Sequence, residues 1–200
     1  MASLPLVQLC VILLVGITSK AEELPLSIER RAGGTDYSTT EQYFLLNAHN
    51  NYRRSVSPPA VSMNTLTWDA TLAIKAQQWV ERCHYGHPNT AIYRSYAGLG
   101  QNLYIRIGTT TKPPVTDPVD KWYREVNYYN LATNKCDTGR VCGHYTQLVW
   151  ADTSKVGCGI NFCSRVTTDY GRIYSTAWLV ACQYSPGGNV IWRKPYVAAG

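Results

Sequence analysis

The chain has no apolar run long enough to span a bilayer. Its longest, Leu4 to Ile17, falls short of the ~20 residues a membrane helix needs. It contains no C-x-x-C pair, which excludes a zinc ribbon, and no H-E-x-x-H, which excludes an ordinary metalloprotease. No G-x-S-x-G elbow is present, so an α/β-hydrolase nucleophile has no place to sit. Charge is sparse at 16%, and the surplus of +6 is scattered, too weak a field for nucleic acid. No N-x-S/T sequon occurs, so N-glycosylation is not expected. Phenylalanine is nearly missing, with 2 residues against 15 Tyr and 6 Trp. Tyr and Trp join apolar bulk to a polar tip, and they suit half-buried positions and groove walls.

What is present points outward from the cell. Residues 1–21 hold a short apolar core that ends in Ser19-Lys20-Ala21, the pattern of a secretory signal peptide; the alternative is an uncleaved anchor. Removing them takes Cys10 away and leaves six cysteines, an even number that suggests three disulfides in an oxidising compartment. Counting alone leaves 15 pairings open. Residues 22–36 read as a flexible polar linker, in which Arg30-Arg31 is either a processing site or a solvated charge pair. A single domain is expected over 37–200. With 45% hydrophobic residues the chain has the material for a core.

Order should begin near Tyr37. Ser38 and Glu41 match a capping box, and "EQYFLLNAHNNYRR" carries Leu45, Ala48, His49 and Tyr52 on one helical stripe. A second helix is expected from Asp69, with Leu72, Ala73, Ala76, Trp79 and Cys83 on its apolar face. A third opens with Asp117 as cap and Pro118 in the first turn, and runs through "VDKWYREVNYY" with Val119, Trp122 and Val126 inward. "GHYTQLVWA" is the fourth. "KVGCGINFC" and "GRIYSTAWLVACQYS" read as strands, with "VTTDYGR" as the turn between them. Residues 108–118 form the most loop-like interior segment. Helices followed by strands give an α+β fold.

Four separated stretches then resemble one family. "CGHYTQLVW", "LVACQYSPGGNVI", "HNNYR" and "GQNLY" are similar, in order, to the motifs of CAP-domain (SCP-domain) proteins. That family holds cysteine-rich secretory proteins, venom antigen-5 proteins, plant pathogenesis-related proteins of group one and peptidase inhibitor 15/16-like members. The match covers about residues 37–196. The resemblance implies a three-layer α-β-α sandwich with a central antiparallel sheet, braced by disulfides. It implies the pairings Cys83–Cys163, Cys136–Cys142 and Cys158–Cys182. It also implies a cleft built on His87, His144 and Glu125. Where the family has the acid of G-E-N, this chain has Gln101, one negative charge fewer. Asn102, Tyr145 and Gln147 support these motifs.

These residues leave several functions open. His87, His144 and Glu125 offer the inventory of a two-histidine, one-carboxylate zinc site, weakened by Gln101. The alternative is that the cluster hydrogen-bonds internally and braces the cleft floor. His144 and Glu125 also suit a base and its orienter in a divalent-metal-dependent hydrolase, but no nucleophile accompanies them. A lipid or sterol groove is implied by the resemblance, although no aromatic lies between Tyr104 and Trp122. Trypsin-like protease inhibition is implied by the resemblance to peptidase inhibitor 15/16-like members, some of which also carry glutamine at the position of Gln101. No cysteine-rich tail follows "RKPYVAAG", which speaks against channel block. The reading is therefore a secreted, non-catalytic, monomeric binding protein for an extracellular protein or lipid. His84 is expected to be exposed, and His49 to bond backbone in the core.

Overall fold

The computed structural model describes residues 37–200. The signal peptide and linker expectations lie outside the described residues. Helix α1 (Thr39–Arg54) opens as its sequence indicates: the Ser38 hydroxyl accepts from the Glu41 N–H, and the Glu41 carboxylate accepts from the Ser38 N–H. A two-residue strand, β1 (Thr67–Trp68), leads into α2 (Ala70–Val80), where Asp69 caps the Leu72 N–H. The helix stops at Val80, so Cys83 lies beyond it. There follow β2 (His84–Tyr85), β3 (Gly100–Ile107) and α3 (Asp117–Tyr123). A 3₁₀ turn, Arg124–Tyr128, continues α3 into the short pair β4 (Tyr129–Asn130) and β5 (Lys135–Cys136). Helix α4 (Gly143–Leu148), β6 (Lys155–Cys163), β7 (Val166–Thr168), β8 (Ile173–Tyr174) and β9 (Ala177–Ser185) complete the chain.

Several sequence expectations shift. Asp117 is not the cap of α3: Thr116 stands there without a side-chain cap bond, and Asp117 instead accepts from the Tyr104 hydroxyl at 2.6 Å. The third helix ends six residues early because its last part tightens into the 3₁₀ turn. The fourth ends at Leu148, where Val149 leaves helical geometry. "GQNLY", read only as a motif, is the start of an eight-residue strand.

The main sheet has the order β1-β6-β9-β3. Its β6–β9 and β9–β3 ladders are antiparallel, as expected, while the two-residue edge β1 pairs with β6 in parallel. Helices cover both faces, which gives the three layers. On one face α2 lies directly on β6. A Cβ on Gly157 would stand 2.2 Å from the Ala73 nitrogen, and one on Gly159 2.4 Å from that of Gln77. Only glycine allows this approach, and it lets Ala76, Trp79 and Val80 meet Leu179 and Ala181. On the other face α1, α3 and α4 bring Leu45, Trp122, Tyr145 and Leu148 onto Ile160, Val180 and Tyr184. The structure has disulfides Cys83–Cys163, Cys136–Cys142 and Cys158–Cys182.

Candidate functional site

A six-residue helix has too few internal hydrogen bonds to stand alone in water. Helix α4 is held from outside at both ends. At its start Cys142 offers no side-chain cap. Glu125, from the 3₁₀ turn, takes that role: its Oε2 accepts from the N–H groups of His144 (2.9 Å) and Tyr145 (3.1 Å). At the other end Arg53 of α1, buried at 2% exposure, donates to the Leu148 and Trp150 carbonyls at 3.0 and 2.8 Å. It also donates to Asn64, Ala151 and Thr153 carbonyls. An anion thus meets the positive end of the helix and a cation the negative end.

This clamp positions His144. Glu125 Oε1 accepts from His144 Nδ1 at 2.6 Å, and the imidazole stacks over Trp122 at 6.3 Å between centroids. Trp122 is itself fixed by donating to the Leu103 carbonyl. Asn102 donates to the His144 carbonyl (2.9 Å) and to the Tyr184 hydroxyl (3.3 Å). That hydroxyl donates to His49 Nε2, whose Nδ1 donates to Leu45 O at 2.7 Å. Burial, aided by the nearby Arg53 charge, pushes the His49 pKa down to about 4, so this histidine is neutral. It is the backbone-bonded core histidine that the sequence suggested.

The second imidazole lies across from β3. His87 is exposed, and its Nδ1 donates to Gln101 Oε1 at 2.8 Å. The Tyr85 phenol is pushed up first by burial and next by the Glu125 carboxylate, so the segment leading to His87 lies within electrostatic reach of Glu125. The structure therefore assembles two pairs, His144–Glu125 and His87–Gln101. Gln101 also carries a buried Nε2 without a partner, and Gln183, directly opposite on β9, has both amide atoms in that state. Gln147 accepts from the Gly188 N–H and ties the segment after β9 to α4. His84, expected to be exposed, is half-buried between Thr167 Oγ1 (3.0 Å) and Asp169 Oδ1 (2.7 Å). It sits where β2 runs beside β7, which a sequence neighbour of Cys83 cannot reveal.

The donor chemistry tests the metal idea. With Nδ1 held by an oxygen, each of His87 and His144 keeps Nε2 as its lone-pair atom, the tautomer a metal ligand needs. Glu125 accepts three hydrogen bonds, two on Oε2 and one on Oε1, which leaves Oε1 one lone pair to offer as a third ligand. Among the described residues, the group of three ligand-type atoms within 4.8 Å is His49, Cys158 and Cys182. Those cysteines form a disulfide and both His49 nitrogens are engaged, so that group cannot hold an ion.

Behind Tyr145 lies a cavity of about 710 Å³, walled by Val126, Leu131, Tyr145, Tyr196 and Val197, with Lys194 on its lining. Sequence reading missed it because its walls come from the 3₁₀ turn and from the segment after β9, which share no motif. A shallower recess of about 390 Å³ lies between Arg140, Trp150, Trp192 and Arg193.

Comparison with known proteins accords with this architecture. Peptidase inhibitor 16 of Bos taurus is 36% identical over 159 residues, covering 80% of this chain and 32% of that protein. GLIPR1-like protein 1 of Mus musculus is 41% identical over 158 residues, covering 76% of this chain and 61% of that one. The chain thus spans less than two thirds of these relatives. Among solved structures, venom allergen-like protein 4 of Schistosoma mansoni superposes with a TM-score of 0.64 at 27% identity, covering 82% of this chain and 97% of its own. A structure of NaASP2 with Zn2+ gives 0.66 at 24% identity, covering 81% of this chain and 87% of its own, a likeness of fold. The model of the cysteine-rich secretory protein family matches residues 46–184, and the chain belongs to that family, CAP.

Proposed function

We propose that the protein is a secreted, non-catalytic binding module, exported by residues 1–21, whose ligand is a single-chain lipid. The observation that carries this reading is the cavity of about 710 Å³. Its size lies within the range of small-molecule sites, and its walls are mainly apolar with a single cation, Lys194, suited to an acidic head group. The non-catalytic part rests on the site chemistry: Glu125 is spent on capping and on His144 Nδ1. Among the described residues no hydroxyl or thiol hydrogen-bonds Nε2 of either His87 or His144. In this reading the imidazole pair braces the junction of α4, β3 and the segment after β2. His87 and His144 would hold a divalent ion through Nε2, and the ion would supply a positive pole there.

The test is displacement of a fluorescent fatty-acid analogue by unlabelled fatty acid and by sterol. Saturable uptake, lost on filling the cavity with Leu131→Trp and weakened by Lys194→Gln, is expected. Absence of uptake by the wild type, or equal uptake by Leu131→Trp, refutes the lipid reading. Competition by sterol alone corrects the ligand class. The relatives named peptidase inhibitor 16 favour a second reading, protease inhibition, which residual trypsin activity after incubation with the protein decides.

A further inference from the structure

The turn after β9 spends stability on display. Asn189 and Trp192 have φ of 55° and 67°, the left-handed region that glycine enters freely and a bulky aromatic rarely does. No packing compensates at Trp192, which is 94% exposed, and Ile191 beside it is 75% exposed. The turn is nevertheless held firmly from behind. Arg193 N–H donates to Val190 O, Asn189 exchanges bonds with Gly143 O and the Thr146 hydroxyl, and Asn134 donates to Arg193 O. A fixed, strained and solvent-facing Ile-Trp tip points to a function for the tip rather than to a flexible end.

Its surroundings are cationic. Arg140 and Arg193 line the recess shared with Trp192, Lys194 follows in the chain, and exposed Lys135 adjoins the Asn134 that is bonded to the turn. The acids nearby are Asp152, which pairs with Arg193 at 2.8 Å, and exposed Asp137, so positive charge is in excess.

We propose that this turn is a membrane-docking wedge: Ile191 and Trp192 enter the interfacial layer of a bilayer while Lys135, Arg140 and Arg193 meet anionic head groups. Tryptophan favours that layer, where its apolar body is buried and its N–H stays wet. Neighbouring cations add an attraction that falls off within a Debye length. A protein partner fits less well, since a stable interface covers roughly 800 Å² on each side and a two-residue tip offers far less. The inference does not depend on the cavity or on what fills it.

The test is co-sedimentation of the full exported chain with phosphatidylcholine vesicles, with and without phosphatidylserine. Binding to the anionic vesicles is expected, weakening as salt is added. Trp192→Ala lowers the partition coefficient by about tenfold or more. Arg140→Gln and Lys135→Gln each lower it by roughly fivefold. Trp192→Gly separates function from fold: it removes the backbone strain, so Tm rises by roughly 2–4 °C while vesicle binding is lost. A wild type that stays in the supernatant overturns the proposal, as does a Trp192→Ala variant that sediments equally. A lowered Tm in Trp192→Gly would mean that the fold's own packing holds the tryptophan, and also overturns it. So does Trp192-dependent cross-linking to a soluble protein by a wild type that ignores both vesicles.

Discussion

Replacing Arg53 by methionine isolates the clamp on α4. The guanidinium is buried and, among the described residues, has no carboxylate partner; its donors go there to backbone carbonyls. Burial lowers its pKa from 12.5 to about 10, a cost of about 3 kcal/mol that methionine would relieve. Against this, the Asn64, Leu148 and Thr153 carbonyls draw their bonds here from Arg53. Orphaning a buried acceptor costs ~1–3 kcal/mol; at about 2 each for Leu148 and Thr153 and about 1 for the carbonyl of exposed Asn64, the loss outweighs the relief by about 2 kcal/mol. For a domain of this size that lowers Tm by roughly 4–8 °C. Arg53→Lys keeps the charge but has three donors in place of a planar fork, and should fall between. The assay is thermal unfolding followed by circular dichroism with the disulfides intact, together with amide exchange at Tyr145 to Val149. A Tm for Arg53→Met within about 2 °C of wild type would refute the reasoning, because the carbonyls would then have found other donors.

Three further predictions concern the same core. Glu125→Ala removes the cap of α4 and should cost about 2 kcal/mol, and the His144 ring should lose its fixed Nδ1–H tautomer; long-range imidazole NMR correlations check this. His49 titrates near 4 when folded and near 6.5 when unfolded, so the unfolded chain takes up the proton first. Stability should therefore fall as pH drops from about 6.5 to about 4, by up to ~3 kcal/mol, and His49→Gln should flatten that slope in urea titrations at stepped pH. Gly159→Ala pushes a methyl into the backbone of α2 and should destabilise by roughly 1–3 kcal/mol, measured by the same unfolding curves.

What the sequence disclosed depended on how local each signal was. The capping box at Ser38 and Glu41 acts over three residues and reads directly. The long strands β6 and β9 carry β-branched and aromatic runs and are equally plain. Strand β3 hid behind its motif, although Leu103, Ile105 and Ile107 alternate with polar residues. Asp117 resembled a cap, yet Tyr104 from β3 claims its carboxylate, and no local pattern foretells that. The same holds for the site. His144 and Glu125 were nameable as residues of one cluster, but the capping role of Glu125 follows only from distances. Arg53 sits inside "HNNYR", where it looks like a solvated helix-end charge. Only the fold brings it beneath the turn at 148–153.

The two-ended fastening of α4 has a consequence for change in this chain. The address of the His144 imidazole is set from α1 and from the turn after α3 as well as from Cys142 at the mouth of the helix. A residue changed in any one of these three separate stretches of chain therefore meets two others that still hold the ring. Alteration can accumulate around the imidazole one stretch at a time without turning it loose.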